Sequence, residues 1–304
     1  MSLTTTELDR PAQPPAFQGL SGSRRAKDIT ARVLVWLCFL IAVIPLIWVL
    51  YSVVSRGIEP FLRPDWWQFS LAGVRANEDI GGAHHAIVGT ILQGVVTGVL
   101  SIPIGILVGI YLVEYGAGTR FAKVTTFMVD ILSGVPSIVA AMFIYAVWIT
   151  MFGLDRSAFA MCLALMLLMI PMVVRTTEEM LRIVPNELRE ASYALGIPKW
   201  KTIVRVVLPT AMSGIVTGAM LGMARVMGET APALVLVAYA PTISYDLFAG
   251  PMANLPLLIT NQLANPEIAG FNRTWGAAMT LIFIIMLFNL AATIISRLSS
   301  VKTK

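Results

Sequence analysis

Arg225 and Glu229 stand four residues apart in the stretch RVMGETAP, residues 225–232, within otherwise apolar surroundings. A guanidinium keeps its charge when partly buried and presents a planar fork of donors that matches a tetrahedral oxyanion. A carboxylate repels anions, yet it accepts a hydrogen bond from a protonated one. Hydrogenphosphate has an O–H to donate and sulfate at neutral pH has none, so an acceptor at this place can discriminate between them. The same spacing also allows a local role, in which Glu229 neutralises Arg225 at i, i+4 or the pair only holds helices together. Thr230 follows in the chain, and Arg225, Glu229 and Thr230 make up the candidate substrate path.

The elements that must carry these residues are membrane helices. Of 304 residues, 57% are hydrophobic and 13% charged, a balance that suits a polytopic membrane protein and not a water-soluble globule. A spanning helix needs about 20 mostly apolar residues. The stretches 33–55, 86–113, 131–154, 157–174, 206–224 and 274–296 supply six candidates, so the expected fold is an all-α polytopic membrane protein with six transmembrane helices. A charge at mid-bilayer costs at least about 2.5–3.5 kcal/mol. Two charges at the end of the fifth span therefore need a polar cavity or each other. At about 100° per residue, Gly214, Gly218, Gly222, Arg225 and Glu229 fall within about 80° of one another if the helix continues through them. The three glycines are helix-packing candidates, since a face without side chains approaches a neighbouring backbone or leaves room for solute.

Other features are less specific. Gly94, Gly98, Gly105 and Gly109 in the second span have the four-residue spacing of close helix contacts, and Pro136 in SGVPSI (133–138) predicts a kink in the third span. Trp66 and Trp67 are expected at the bilayer surface. The adjacent His84 and His85 are a weak metal signal without nearby Cys or Asp, and an ordinary polar loop is the favoured reading. Cys38 and Cys162 fall in apolar spans and suggest neither a disulfide nor a metal site. The first 30 residues, with Pro11, Pro14 and Pro15, read as a disordered tail without the early apolar core of a secretory signal. No G-x-x-x-x-G-K-[ST], H-E-x-x-H or G-x-S-x-G occurs. No catalytic residue and no metal ligand is assigned, and the chain has no ATP site of its own.

The positive charges sort by side. Arg10, Arg24, Arg25, Lys27 and Arg32 precede the first span, Arg120 and Lys123 follow the second, six basic residues from Arg175 to Arg205 lie between the fourth and fifth, and Arg297, Lys302 and Lys304 follow the sixth. The opposite side has only Arg56, Arg63, Arg75, Arg156 and Arg273. The positive-inside rule puts both termini in the cytoplasm and attributes the net charge of +5 to topology, not to nucleic acid. The external stretch 240–273 is long and nearly uncharged, and its LPLLITN (255–261) either folds back onto the bundle or meets a partner.

The cytoplasmic loop 185–218 is longer than a helix connection needs. Asn186 suits an N-cap, 189–195 a short helix, Gly196 a left-handed terminus, and Pro198 prevents continuation. Ala191 and Leu195 share a face. The run Glu190-Ala191-Ser192, then Gly196, then Val206-Val207-Leu208-Pro209 resembles the EAA motif of ABC importer permeases, with Ser192 in place of a second alanine. That resemblance implies a type I ABC importer permease architecture with a coupling loop at about 185–209. Its helix would dock on a separate ATPase through Glu190, Ala191, Ser192, Leu195 and Gly196.

A second resemblance narrows the solute. MARVMGETAP is similar to the fifth-helix signature of PstA-type permease subunits of bacterial phosphate ABC transporters. GTILQGVVTGVLSIPIGILVGIYLVEY (89–115), ILSGVPSIVAAMFIY (131–145), LPLLITN and WGAAMTLIFIIMLFNL (275–290) support it. It implies a permease core over 86–298, preceded by a helix and external loop at 31–85 and followed by a cytoplasmic tail at 299–304. It also implies a phosphate path through Arg225 and Glu229 in a bacterial plasma membrane. The implied partners are a related second permease, a dimer of ATPase subunits holding ATP and Mg, and an external phosphate-binding protein. Another oxyanion, molybdate or sulfate, is the near alternative. A stand-alone secondary transporter is the distant one, and it lacks support because no homologous halves are visible.

Overall fold

The computed structural model describes residues 22–299; of the expected tails at 1–30 and 299–304, residues 1–21 and 300–304 lie outside them, and residues 22–30, expected in the disordered tail, are the helical start of α1. Among the described residues every regular element is helical. The chain divides into two compact units within α1 (Gly22–Leu62). In the first unit, the described residues up to Tyr51 are one continuous helix, exposed almost throughout, that begins with the charged Arg24, Arg25, Lys27, Asp28 and Arg32 and is apolar from Val33 on. A helix apolar on all sides suits surroundings of lipid.

The second unit, from Ser52 on, holds the rest. Its elements are α2 (Pro64–Gln68), α3 (His84–Ile110), α4 (Arg120–Ser133), α5 (Ser137–Ile144), α6 (Ala158–Ile183), α7 (Asn186–Ala194), α8 (Lys199–Thr202), α9 (Leu208–Met227), α10 (Ala231–Leu236), α11 (Leu255–Leu263) and α12 (Ile268–Ser299). Single π-turns extend α3 (Tyr111–Tyr115) and α5 (Tyr145–Met151) and join α8 to α9 (Ile203–Val207). Five helices among the described residues are long and apolar enough to cross a membrane, and the α4–α5 pair makes six if counted as one span.

That pair corrects the expectation of a kink. The third span is broken outright, with α4 and α5 at 107°. Pro136 has no N–H to continue the ladder, Gly134 ends α4, and the carbonyl of Pro136 accepts from Val139 N and Ala140 N to begin α5.

Glycines set the spacing at the centre of this unit. On α3, Gly94 faces Met227 and Gly98 faces Met223, both on α9. Gly105 faces Val173 and Gly109 faces Thr177, both on α6. A Cβ at Gly109 would sit 2.7 Å from the Thr177 Cβ, so only glycine allows the approach. The apolar stretch around 255–261 folds back onto the bundle. Asn254 caps α11 and donates from Nδ2 to Gln93 Oε1 at 2.8 Å, and Leu255 N donates to Thr90 Oγ1 at 2.8 Å. Leu255, Pro256, Leu257 and Leu258 are all buried.

Trp66 is not a surface anchor. It is fully buried, and its indole N–H donates to Thr280 Oγ1 at 2.8 Å. Trp67 is half-buried and donates to the Phe61 carbonyl. His84 Nδ1 lies 2.7 Å from the Trp67 carbonyl and His85 Nε2 3.3 Å from the Tyr239 hydroxyl. Burial pushes that phenol up to about 12, so it stays protonated.

Candidate substrate path and coupling surface

α9 does not run through the charged pair. It ends at Met227, where the Gly228 N–H turns back to the carbonyls of Arg225 and Val226. Two features stop it. Gly228 has low helix propensity, and Pro232 cannot donate to the Gly228 carbonyl. Glu229 and Thr230 therefore sit in a short break before α10, which corrects the expectation of one helical stripe continuing to Glu229. The two charges still meet because the turn keeps right-handed backbone angles, with Gly228 at φ −90° and ψ −4°. Arg225 Nε lies 3.8 Å from Glu229 Oε1, a loose pair in which the arginine side chain is 64% exposed and the glutamate 19%. Arg225 Nη1 also approaches Met172 Sδ of α6 at 3.9 Å.

The glycines of α9 face α6 and not a cavity. Gly214 meets Met180, Gly218 meets Thr176 and Gly222 meets Met169. The order runs backwards along α6, so the helices are antiparallel, and Met172 falls in the same seam. Of the two uses open to this stripe, the structure adopts close packing. Arg225 stands at its rim with the guanidinium outward, next to the half-buried Glu229 and Thr230.

The candidate coupling loop begins with α7. Pro185 occupies the N-cap and Asn186 is the first helical residue, so the helix begins one place earlier than expected. The C-terminus follows the expectation. Gly196 has φ +73°, its N–H donates to the Tyr193 carbonyl and Ile197 N to the Ser192 carbonyl, the two bonds of a glycine-terminated helix. Leu188, Ala191 and Leu195 share one face of α7 and are exposed, Leu195 at 79%. Glu190 is exposed beside them. Ser192 differs from its neighbours in the motif. It is buried, and its hydroxyl is hydrogen-bonded to Thr202 Oγ1 at 2.8 Å. It ties α7 to α8 and offers no side chain to a docked protein, a correction to its place among the contact residues.

Arg189 and Glu114 form a further connection in this region. Arg189 of α7 donates from Nε and Nη2 to Glu114 Oε1 at 3.1 and 2.8 Å. It also donates to the carbonyls of Val184 and Leu181 at the end of α6. Glu114 lies in the π-turn after α3, and the pair is well buried, at 12% and 5% exposure. Lys199 donates to the Glu114 carbonyl and sits 5.0 Å from the Tyr115 ring centre. The sequence signal was thin: a carboxylate one residue past an apolar run and an arginine just before the motif. α6 itself runs on to Ile183, carrying Arg175 and Arg182 on the helix, where both pair with Glu178.

The chain's similarities fit this geometry. Residues 101–304 match the model of the family described as binding-protein-dependent transport system inner membrane component. The chain is 54% identical over 97% of its length, and 95% of the relative's, to "Phosphate transport system permease protein PstA 1" of Mycobacterium tuberculosis H37Rv. It is 39% identical over 90% of both chains to "Phosphate transport system permease protein PstA" of Yersinia pestis. Among solved structures, an inward-facing MetNI methionine ABC transporter chain superposes with a TM-score of 0.58 at 22% identity, covering 70% of this chain and 94% of that one. A chain of a bacterial ABC transporter involved in import of the acidic polysaccharide alginate gives 0.61 at 14% identity, covering 92% and 100%. The fold is that of type I ABC importer permeases, and the chain belongs to the binding-protein-dependent transport system inner membrane component family.

Proposed function

We propose that this chain is the transmembrane permease subunit of an ATP-driven importer of inorganic phosphate, forming part of the translocation path and coupling to a separate ATPase. The observation that carries the reading is the outward-facing Arg225 with Glu229 beside it, in a chain 54% identical to a permease named for phosphate transport. A second, related permease covers the exposed face of Arg225, so that the guanidinium enters a shared path between two subunits. There it binds the phosphate oxygens, and Glu229 accepts the phosphate O–H. Thr230 adds a hydroxyl to the same path.

The exposed apolar edge of α7, Leu188, Ala191 and Leu195, is the surface on which the ATPase docks, with Glu190 and Gly196 at its margin. Two ATPase copies bind ATP and Mg, while this chain contributes no cofactor site. An external phosphate-binding protein delivers the solute. The protein is embedded in lipid of the bacterial plasma membrane with both termini in the cytoplasm.

The test is reconstitution of the four components in vesicles. Labelled phosphate uptake that needs ATP and the binding protein, with molybdate and sulfate excluded, supports the reading. Uptake of molybdate or sulfate in preference to phosphate replaces the solute, and uptake by this chain alone replaces the class.

A further inference from the structure

We propose that Glu114 and Arg189 form a strut that passes movement of the ATPase-docked helix α7 to α3, and through the glycine seam of α3 to the helix that carries Arg225. The proposal rests on the reading of α7 as the ATPase-docking helix.

The argument starts at the π-turn. Gly116 N donates to the Tyr111 carbonyl across five residues, at 2.6 Å. A π-turn at a helix end leaves nearby carbonyls without an intrahelical donor. The Glu114 carbonyl is one of these, and it takes its hydrogen bond from Lys199 of α8. The Glu114 side chain takes its donors from Arg189 of α7. One residue at the end of α3 is thus gripped twice by the coupling loop, once through its main chain and once through its side chain. Arg189 in turn closes the last carbonyls of α6, so its guanidinium joins three elements with most of its donors used.

A grip of this kind carries force because it is dry and multiply bonded. The charges are buried, and separating them would leave each without a partner. Beyond Glu114, α3 touches α9 where Gly94 and Gly98 receive Met227 and Met223. Those methionines lie two residues to either side of Arg225. The rival route is the covalent one, from α7 through α8 and the π-turn Ile203–Val207 into α9, stiffened by the Ser192–Thr202 bond. Glu114 lies outside that route, so changing Glu114 separates the two.

The experiment uses the reconstituted complex with its binding protein, comparing the parent with Glu114→Gln and Glu114→Asp. ATPase co-purification reports docking, and phosphate moved per ATP hydrolysed reports coupling. Glu114→Gln retains the ATPase and lowers phosphate moved per ATP by about tenfold, and Glu114→Asp, which keeps the charge, restores part of it. An unchanged ratio with the ATPase still bound overturns the strut and leaves the covalent route. Loss of the ATPase from the parent itself would instead overturn the docking reading. A second measurement needs no change at Glu114. Spin labels at Glu187→Cys on α7 and Leu107→Cys on α3, with Cys38 and Cys162 replaced, keep the same separation in the nucleotide-free and ATP-trapped complexes. A separation that changes between those states means α7 and α3 do not move together, and overturns the proposal.

Discussion

Gly218 of α9 lies against Thr176 of α6 so closely that a methyl group at Gly218 would sit 2.7 Å from both the Cβ and the Oγ1 of the threonine. Rotating the threonine moves its Oγ1 but not its Cβ, which the α6 backbone holds in place, so relief of that contact requires displacing one helix. Gly218→Ala is expected to destabilise the chain by about 1–3 kcal/mol. Adding Thr176→Gly should recover part of the loss. Thermal unfolding in detergent, followed by size exclusion, measures both; a Gly218→Ala variant as stable as the parent would show that the seam yields.

Arg225 and Glu229 should fail differently. Arg225→Gln removes the outward guanidinium and is expected to lower phosphate uptake at least about a hundredfold while the complex still assembles. Arg225→Lys rescues poorly, since an ammonium lacks the planar fork. Glu229→Gln keeps the shape but adds a donor, so uptake falls less and rejection of sulfate weakens. Near-normal uptake in the double Gln variant would mean that the pair serves only to neutralise itself.

The inward turn of Ser192 separates two neighbours in one motif. Ala191→Asp sets a charge on the exposed face of α7, and burying it under the ATPase would weaken association by several kcal/mol, about a hundredfold or more. Ser192→Ala removes one buried hydrogen bond to Thr202, at a cost of about 1 kcal/mol in stability, and leaves association intact. Co-purification of the ATPase with each variant distinguishes them. Equal loss in both would place Ser192 at the contact after all.

Orientation is tested with single cysteines in a background lacking Cys38 and Cys162. Glu187 on α7 and Tyr245 in the stretch before α11 are both exposed. In intact cells a membrane-impermeant thiol reagent should label Tyr245→Cys and spare Glu187→Cys. The reverse pattern would turn the coupling helix to the outside and remove its role.

What was legible in the chain alone was local. The lengths of the apolar runs, the four-residue glycine spacings of the second span, and the left-handed stop at Gly196 each depend on residues within a few turns of one another. The glycine spacings and the stop at Gly196 appear where the sequence puts them, and the apolar runs do so except the third, which Pro136 breaks, and the fourth, whose helix runs on to Ile183. The apolar character of 255–261 was legible too, but its destination was not. Burial of α11 depends on Asn254 meeting Gln93 and on Leu255 meeting Thr90, more than 150 residues away. Trp66 is inside because Thr280 accepts its N–H, and no local pattern distinguishes that tryptophan from one at a bilayer surface. Periodicity put Glu229 on the fifth helix, whereas the missing donor of Pro232 helps end that helix at Met227, leaving three residues before the proline's own helix begins. The Glu114–Arg189 pair lies furthest from sequence reasoning. Its members are 75 residues apart, and each alone looks like an ordinary charge at a membrane edge. Only the packing of α7 beneath the end of α3 buries them together, and burial is what turns two such charges into a fixed connection.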